Sequence, residues 1–262
     1  MEFKEVVGTR RSMRFFAPYR QVEPEKIQVI LEAANRSSRS MNADYVRAVV
    51  VNRDDLSQEM RDSLRNPTTS LDLELAPVYI MWFINLKYYE GTKERLKEQI
   101  DHGILAPSHG WSHAYVDEVI EKTVLEKITG DEFRLNWMGA IEAGQAIAHA
   151  LLAAYDEGLG ACLHNFTDTT IRKMMNIPDH WRRAWLMLVG YPLGDKADGG
   201  QRPRRPLAEN FFTFKGGRLE PWKEDPEVTR RLREARMIQE PSPLPYRHQE
   251  LRAFARMLGL PE

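Results

Sequence analysis

Arg10, Arg11, Ser12 and Arg14 stand within five positions near the start of the chain, and a second basic knot, Arg202-Pro203-Arg204-Arg205, lies far along it. Guanidinium forks bind phosphate oxygens bidentately, and a serine hydroxyl adds a neutral donor; each charge-assisted bond is worth about 1.5–3 kcal/mol. Either knot alone reads equally well as solvated surface. Together they suggest a phosphate clamp. Neither a GxxxxGK[ST] loop nor a strand-linked GxGxxG is present, so the two common nucleotide motifs are absent and a mononucleotide held by side chains stays an open reading. Lys plus Arg (37) nearly balance Asp plus Glu (38), for a formal charge of −1. That balance removes the global attraction on which nucleic-acid binding depends, so what the knots hold is small or local.

Other reactive side chains make weaker patterns. His109 and His113 are four apart, with His102 nearby, but Pro107 and Gly110 interrupt a helix there and no carboxylates sit at a ligand spacing, so no metal site is expected. Cys162 and His164 share one face of a strand, as a thiolate pair would, although a lone cysteine in an apolar strand usually serves as a small hydrophobe. Ser108 and His109 are adjacent and offer nothing for hydrolysis. The single cysteine excludes an intramolecular disulfide framework, and the opening MEFKEVV lacks the apolar core of a secretory signal. Residues 137–155, the most apolar helical stretch, contain Glu142, Gln145 and His149, which argues against a membrane span. A cytoplasmic enzyme with no nucleic-acid or membrane partner is the expectation.

The elements that must position these residues read as strands and helices interspersed, an α+β pattern without an internal linker. Ile27, Ile30, Leu31 and Ala34 lie at helical spacing after Pro24. Strands are predicted at 45–52, 76–85, 158–166 and 182–192, the second and fourth central because they are so apolar. Helices are predicted at about 54–64 and 168–177, two more around a loop in 87–131, and a long one from Asp131 to Glu157 stopped by Gly158. On the long helix Ala140, Gly144 and Ala148 form a small-residue stripe that suits either a subunit interface or an internal helix contact. Two helical patterns in the tail, at 225–239 and 247–258, carry too few apolar residues for their own core. The tail therefore packs across the body or onto a partner chain.

The segments RRSMRFF, EAANRSSRSMNADYVRAVVV, GAIEAGQAIAHALLAAYDEGLGACL, VGYPLGD and RPRRPL, in that order and spacing, resemble the nitroreductase family of FMN-dependent oxidoreductases over about residues 3–212. The resemblance implies an α+β fold with a central, mainly antiparallel sheet flanked by helices, in an intertwined homodimer with FMN sites between subunits. It implies an FMN-binding domain over 1–218, carrying the helical insertion at about 87–131, and a C-terminal extension over 219–262. By the same resemblance Arg10, Arg11, Ser12 and Arg14 bind the flavin phosphate and pyrimidine side, and Arg202 and Arg204 complete the clamp. Ser37, Ser38, Arg39 and Asn42 are contributed by the other subunit, and Leu163, His164 and Asn165 lie against the flavin's reactive edge. Two departures from the family pattern stand out: Ser37-Ser38-Arg39 replaces the usual alanine-proline-serine, and Asp44 replaces a common glutamine.

The implied chemistry is ping-pong: NAD(P)H reduces the flavin, leaves, and is replaced by an electron-poor acceptor such as a nitroaromatic or quinone. The same superfamily also performs reductive dehalogenation and oxygen-dependent oxidation, and a non-catalytic flavin-binding protein is a third reading. Flavin chemistry needs no protein nucleophile. Arg14 is the candidate for stabilising negative charge on the reduced ring. Tyr88, Tyr89, Trp111 and Phe133 of the insertion are candidates to wall the acceptor pocket.

Overall fold

Strands β1 (Val46–Asn52), β2 (Val78–Asn85), β3 (Gly160–His164) and β4 (Trp181–Gly190) form an antiparallel sheet in the order β1-β2-β4-β3. The computed structural model describes residues 1–65, 70–195 and 200–242, with 249, 252, 255 and 256; most of the helix expected at 247–258 lies outside the described residues. Every residue of β2 is buried, as its unbroken apolar run predicts for a central strand. The register sets Val46 opposite Ile84, and Gly160 opposite Gly190.

That glycine pair places the arginine segment. A Cβ on Gly160 would lie 2.6 Å from the Met13 side chain, and one on Gly190 would lie 2.6 Å from the Pro77 ring and 3.1 Å from Phe16. The bare backbone lets residues 12–16 cross the sheet edge. Met13 N–H donates to the Ala161 carbonyl at 3.0 Å, Ser12 pairs in parallel with Ala161, and Phe16 pairs with Pro192.

One face of the sheet is covered by α2 (Pro24–Asn35) and α8 (Glu132–Asp156), where Ile27, Ile30 and Leu31 meet Ala146, Ile147 and Ala150 over Ile80 and Trp82. Each large aliphatic side chain so buried contributes about 1.5–3 kcal/mol. Asp131 caps α8 by accepting from Arg134 N–H at 2.9 Å, and Gly158 follows its end with a left-handed φ of 81°. The opposite face is covered by α3 (Gln58–Leu64), α4 (Ser70–Leu75) and α9 (Thr169–Met174), which bring Leu64, Leu73 and Ile171 onto Tyr79, Met81 and Leu188.

The insertion holds α5 (Thr92–Asp101), then α6 (His113–Tyr115), which runs through π-helical turns at Val116–Leu125 into α7 (Glu126–Thr129). Lys93 pins the two halves to each other through Asp117 at 2.8 Å and Glu121 at 2.7 Å.

At the chain's ends, α1 (Phe3–Thr9) packs against the tail, which contains α10 (Leu207–Asn210), a hairpin of β5 (Phe212–Lys215) and β6 (Arg218–Pro221), and α11 (Pro226–Glu234). The sequence reading missed α1, α4 and the hairpin. The hairpin's signal was Gly216-Gly217, whose φ values of 59° and 81° suit a tight two-residue turn. The helix predicted to reach 239 stops at Glu234, because Arg236 turns to a positive φ of 59° and redirects the chain onto α1. There the contact is close: a Cβ on Gly8 would lie 2.0 Å from the Arg236 carbonyl oxygen. Arg236 pairs with Glu5 at 2.7 Å, and Gln201 donates to the carbonyls of Gly8 at 2.8 Å and Met237 at 2.6 Å.

Candidate anion and cofactor site

Helix α1 ends at Thr9, and Arg10 turns into extended backbone (φ −58°, ψ 133°) that runs onto the exposed edge of β3. This aims the Arg10 guanidinium toward Cys162 and Arg204. Burial pushes its pKa below the usual arginine value; Cys162 offsets this in part, and the like charge of Arg204 adds to it. Among the described residues the Arg10 guanidinium has neither a hydrogen bond nor a carboxylate partner. Arg202 and Arg204 are exposed and likewise unpaired, whereas Arg205 meets Glu209 at 3.9 Å. A partly desolvated guanidinium beside a second one, with no protein anion between them, is an electrostatic cost that an anionic ligand reverses.

The neighbouring residues divide by role. Arg11 donates to the carbonyls of Gly8 at 2.7 Å and Arg10 at 3.1 Å and to Gln239 Oε1 at 2.8 Å, so it fastens the tail to the segment. Burial lowers its pKa, Tyr155 offsets this, and Arg10 and Arg236 add repulsion. Ser12 is fixed by its backbone pairing with Ala161. Arg14 is half-buried, with Nη1 fully enclosed. At the end of β3, Leu163 is half-buried, His164 is buried, and Asn165 is exposed with its Oδ1 accepting from Arg183. The structure thus gathers Arg10, Ser12, Arg204 and the end of β3 at one sheet edge.

The other predicted cluster precedes β1, the opposite edge strand. Ser37 is buried with no partner for its hydroxyl, Ser38 is exposed, and Met41 and Asn42 take left-handed φ values of 54° and 53°. Arg39 donates to Asn35 at 3.0 Å and faces Asp44 at 3.7 Å; Asp44 also accepts from Arg95 and lies 3.6 Å from Arg47. Ser40 N–H donates to the buried Glu142 of α8 at 3.2 Å. With β2 and β4 between them, the strand that the 37–42 loop leads into and the strand that the arginine segment pairs with are the opposite edges of the sheet.

The insertion aromatics are dispersed. Tyr88 is fully buried against Tyr45, with ring centroids 4.2 Å apart, and meets Tyr89 edge-on at 6.2 Å. Burial holds the Tyr88 hydroxyl pKa up at about 12. Trp111 packs edge-on against Tyr115 at 5.5 Å, and Phe133 is 79% exposed.

One buried group was not anticipated. Asp72 of α4 lies with Cys162 and His164 in a sealed cluster beneath the arginine edge, His164 Nε2 standing 2.7 Å from Asp72 Oδ2. The Cys162-x-His164 spacing was a readable signal for two of the three. Asp72 comes from far away in sequence and carried none.

The sequence matches the profile of the Nitroreductase family over residues 7–191, and the chain belongs to that family. Comparison with curated proteins returns no match. Solved structures of the same fold include a nitroreductase family protein of Streptococcus pneumoniae, 21% identical with a TM-score of 0.60, over 80% of this chain and 98% of that one. A provisionally named nitroreductase of Exiguobacterium sibiricum, solved in complex with FMN, is 18% identical with a TM-score of 0.64, over 82% and 98%. A provisionally named NAD(P)H:FMN oxidoreductase of Staphylococcus epidermidis is 16% identical with a TM-score of 0.66, over 81% and 96%. Among the described residues no helix is long and apolar enough to cross a membrane.

Proposed function

We propose that this family member is an FMN-dependent, NAD(P)H-consuming cytoplasmic reductase of electron-poor small molecules such as nitroaromatics or quinones, working as a homodimer. The observation that carries the reading is that Arg204, far along the chain, repels the partly buried Arg10 while neither has a counter-ion among the described residues. That donor set fits a phosphate monoester, which takes bidentate guanidinium contacts at a partly dry site. FMN, when bound, supplies the two-electron chemistry.

The chain's own residues do the rest. Arg10, Arg202, Arg204 and Ser12 hold the phosphate, and Arg11 keeps the tail and the segment together around it. The end of β3 at Leu163, His164 and Asn165 offers backbone to the ring's reactive edge, and Arg14 supplies fixed positive charge to its pyrimidine side. Because Ser37, Ser38, Arg39 and Asn42 stand at the far sheet edge, they reach a cofactor only from a second copy. Helix α8 offers the surface for that copy: Ala140, Gly144 and Ala148 face outward beside Trp137 and Ile141, which are 56% and 43% exposed. Nothing lies within 4 Å of a Cβ built on Gly144, which supports a subunit contact as the use for the stripe.

The deciding measurement is the absorption spectrum of the purified protein before and after anaerobic NADH, then NADPH. A flavin spectrum that bleaches with either donor is expected. Bound flavin that neither donor bleaches rules out the NAD(P)H step, and a colourless protein that cannot be reconstituted with FMN rules out the site. Arg14→Gln is expected to lower the flavin reduction potential; an unchanged potential with FMN still bound refutes the role given to Arg14.

A further inference from the structure

Asp72, Cys162 and His164 are 0%, 2% and 6% exposed, and their ligand atoms all lie within 4.8 Å of one another. Two elements bring them together. Cys162 and His164 are alternate residues of β3 and point to the same face, and Asp72 sits on α4, which covers that face. The distance of 2.7 Å between His164 Nε2 and Asp72 Oδ2 would suit a hydrogen bond, but the angles do not make one. Among the described residues both Asp72 oxygens and His164 Nε2 are buried without a hydrogen-bond partner. A buried carboxylate in that condition costs on the order of several kcal/mol, and native interiors rarely leave one so.

We propose that these three side chains bind a divalent metal ion of the zinc class, which ties α4 to the edge strand that carries the arginine segment. A thiolate, an imidazole and a carboxylate are the mixed soft and borderline donors that zinc accepts, with a water to complete a tetrahedron. Bonds of about 2.0–2.3 Å place tetrahedral donors about 3.3–3.8 Å apart, so the cluster reaches that geometry by shifts of about 1 Å. The two anionic donors balance the charge of a divalent ion; the ion takes His164 Nε2 and one Asp72 oxygen directly, and its water donates to the other Asp72 oxygen. A buried imidazolium paired with Asp72 is the competing state: burial lowers the His164 pKa, but the close polar contacts with Asp72 and Cys162 outweigh it and raise it to about 9. That pair leaves Asp72 Oδ1 unpartnered and uses the thiol weakly.

The test is metal content and coordination in the full-length protein, purified without a metal-affinity step, stripped by chelator, incubated with zinc chloride and dialysed. One zinc ion per chain is expected, with a sulfur shell in the zinc-edge X-ray absorption spectrum. Cys162→Ala and Asp72→Asn are each expected to weaken zinc binding by about 10–100-fold, with circular dichroism confirming that the variants remain folded. Wild-type protein that retains only trace zinc overturns the proposal. So does zinc bound without sulfur scattering, which would place it elsewhere, for example on the exposed His113–Asp101 pair, 2.8 Å apart. Because the wild-type spectrum decides alone, a variant that fails to fold does not weaken the test. Flavin content is read separately, so the FMN reading and the metal reading fail independently.

Discussion

Two arginine-rich regions of this protein look alike in sequence and differ in what surrounds them. In the 37–47 region, Asp44 faces Arg39, Arg47 and, across the insertion, Arg95, so one carboxylate answers three guanidinium groups. Around the other sheet edge Arg10 and Arg204, with Arg202 close by in sequence, have no carboxylate partner among the described residues. Charge count does not separate the regions. The counter-ion does: an arginine with its anion built in belongs to the fold, and a partly buried arginine without one is held ready for a ligand.

The comparison is tested most severely by removing the unpaired charges. Arg10→Gln and Arg204→Gln are each expected to weaken FMN binding by about 10–150-fold, the equivalent of one charge-assisted contact of about 1.5–3 kcal/mol, as read by titrating flavin fluorescence. The unfolding midpoint of flavin-free Arg10→Gln is expected to stay level or rise, because the substitution relieves a desolvated charge. A fall of several degrees without any loss of affinity would make Arg10 structural and erase the contrast.

The predicted dependence on a second copy comes next. Gly144→Trp has open space within its own protomer, so the fold is expected to survive while sedimentation shows a shift to monomer and FMN affinity drops. A dimer that persists would move the subunit contact off α8.

Gly8→Ala probes the fastening of the tail. Its Cβ would meet the Arg236 carbonyl at 2.0 Å, and relieving that clash costs about 1–3 kcal/mol. Faster proteolytic cleavage after residue 200, with weaker FMN binding as Arg204 loses its support, is the expected result. The smallest effect is expected for Asp44→Asn, a part-exposed site where screening limits the loss to about 1 kcal/mol in a thermal melt. If Asp44→Asn weakens FMN binding more than Arg10→Gln does, the two regions have been assigned the wrong way round.

Much of the fold was legible because its pieces declare themselves locally. The unbroken apolar run of β2 has one stable place, the centre of a sheet, and the span from Asp131 to Gly158 carries its own start and stop signals. Helix α4 and the β5–β6 hairpin were missed because neither has an apolar period long enough to register; α4 is six residues, held down by Leu73 in the core. The short helix mattered, since it delivers Asp72.

By itself the sequence determined the four sheet strands and the main helices between them, the family, and the two basic knots that any functional account must explain. Tertiary structure alone decided which arginines lack a counter-ion, because a counter-ion is a neighbour in space. It decided that Arg10 feels the charge of Arg204 while the 37–42 loop leads into the opposite edge strand, since strand order is set by pairing across the chain and not along it. It also placed Asp72 beside Cys162 and His164, where burial turns an ordinary carboxylate into one that needs a partner.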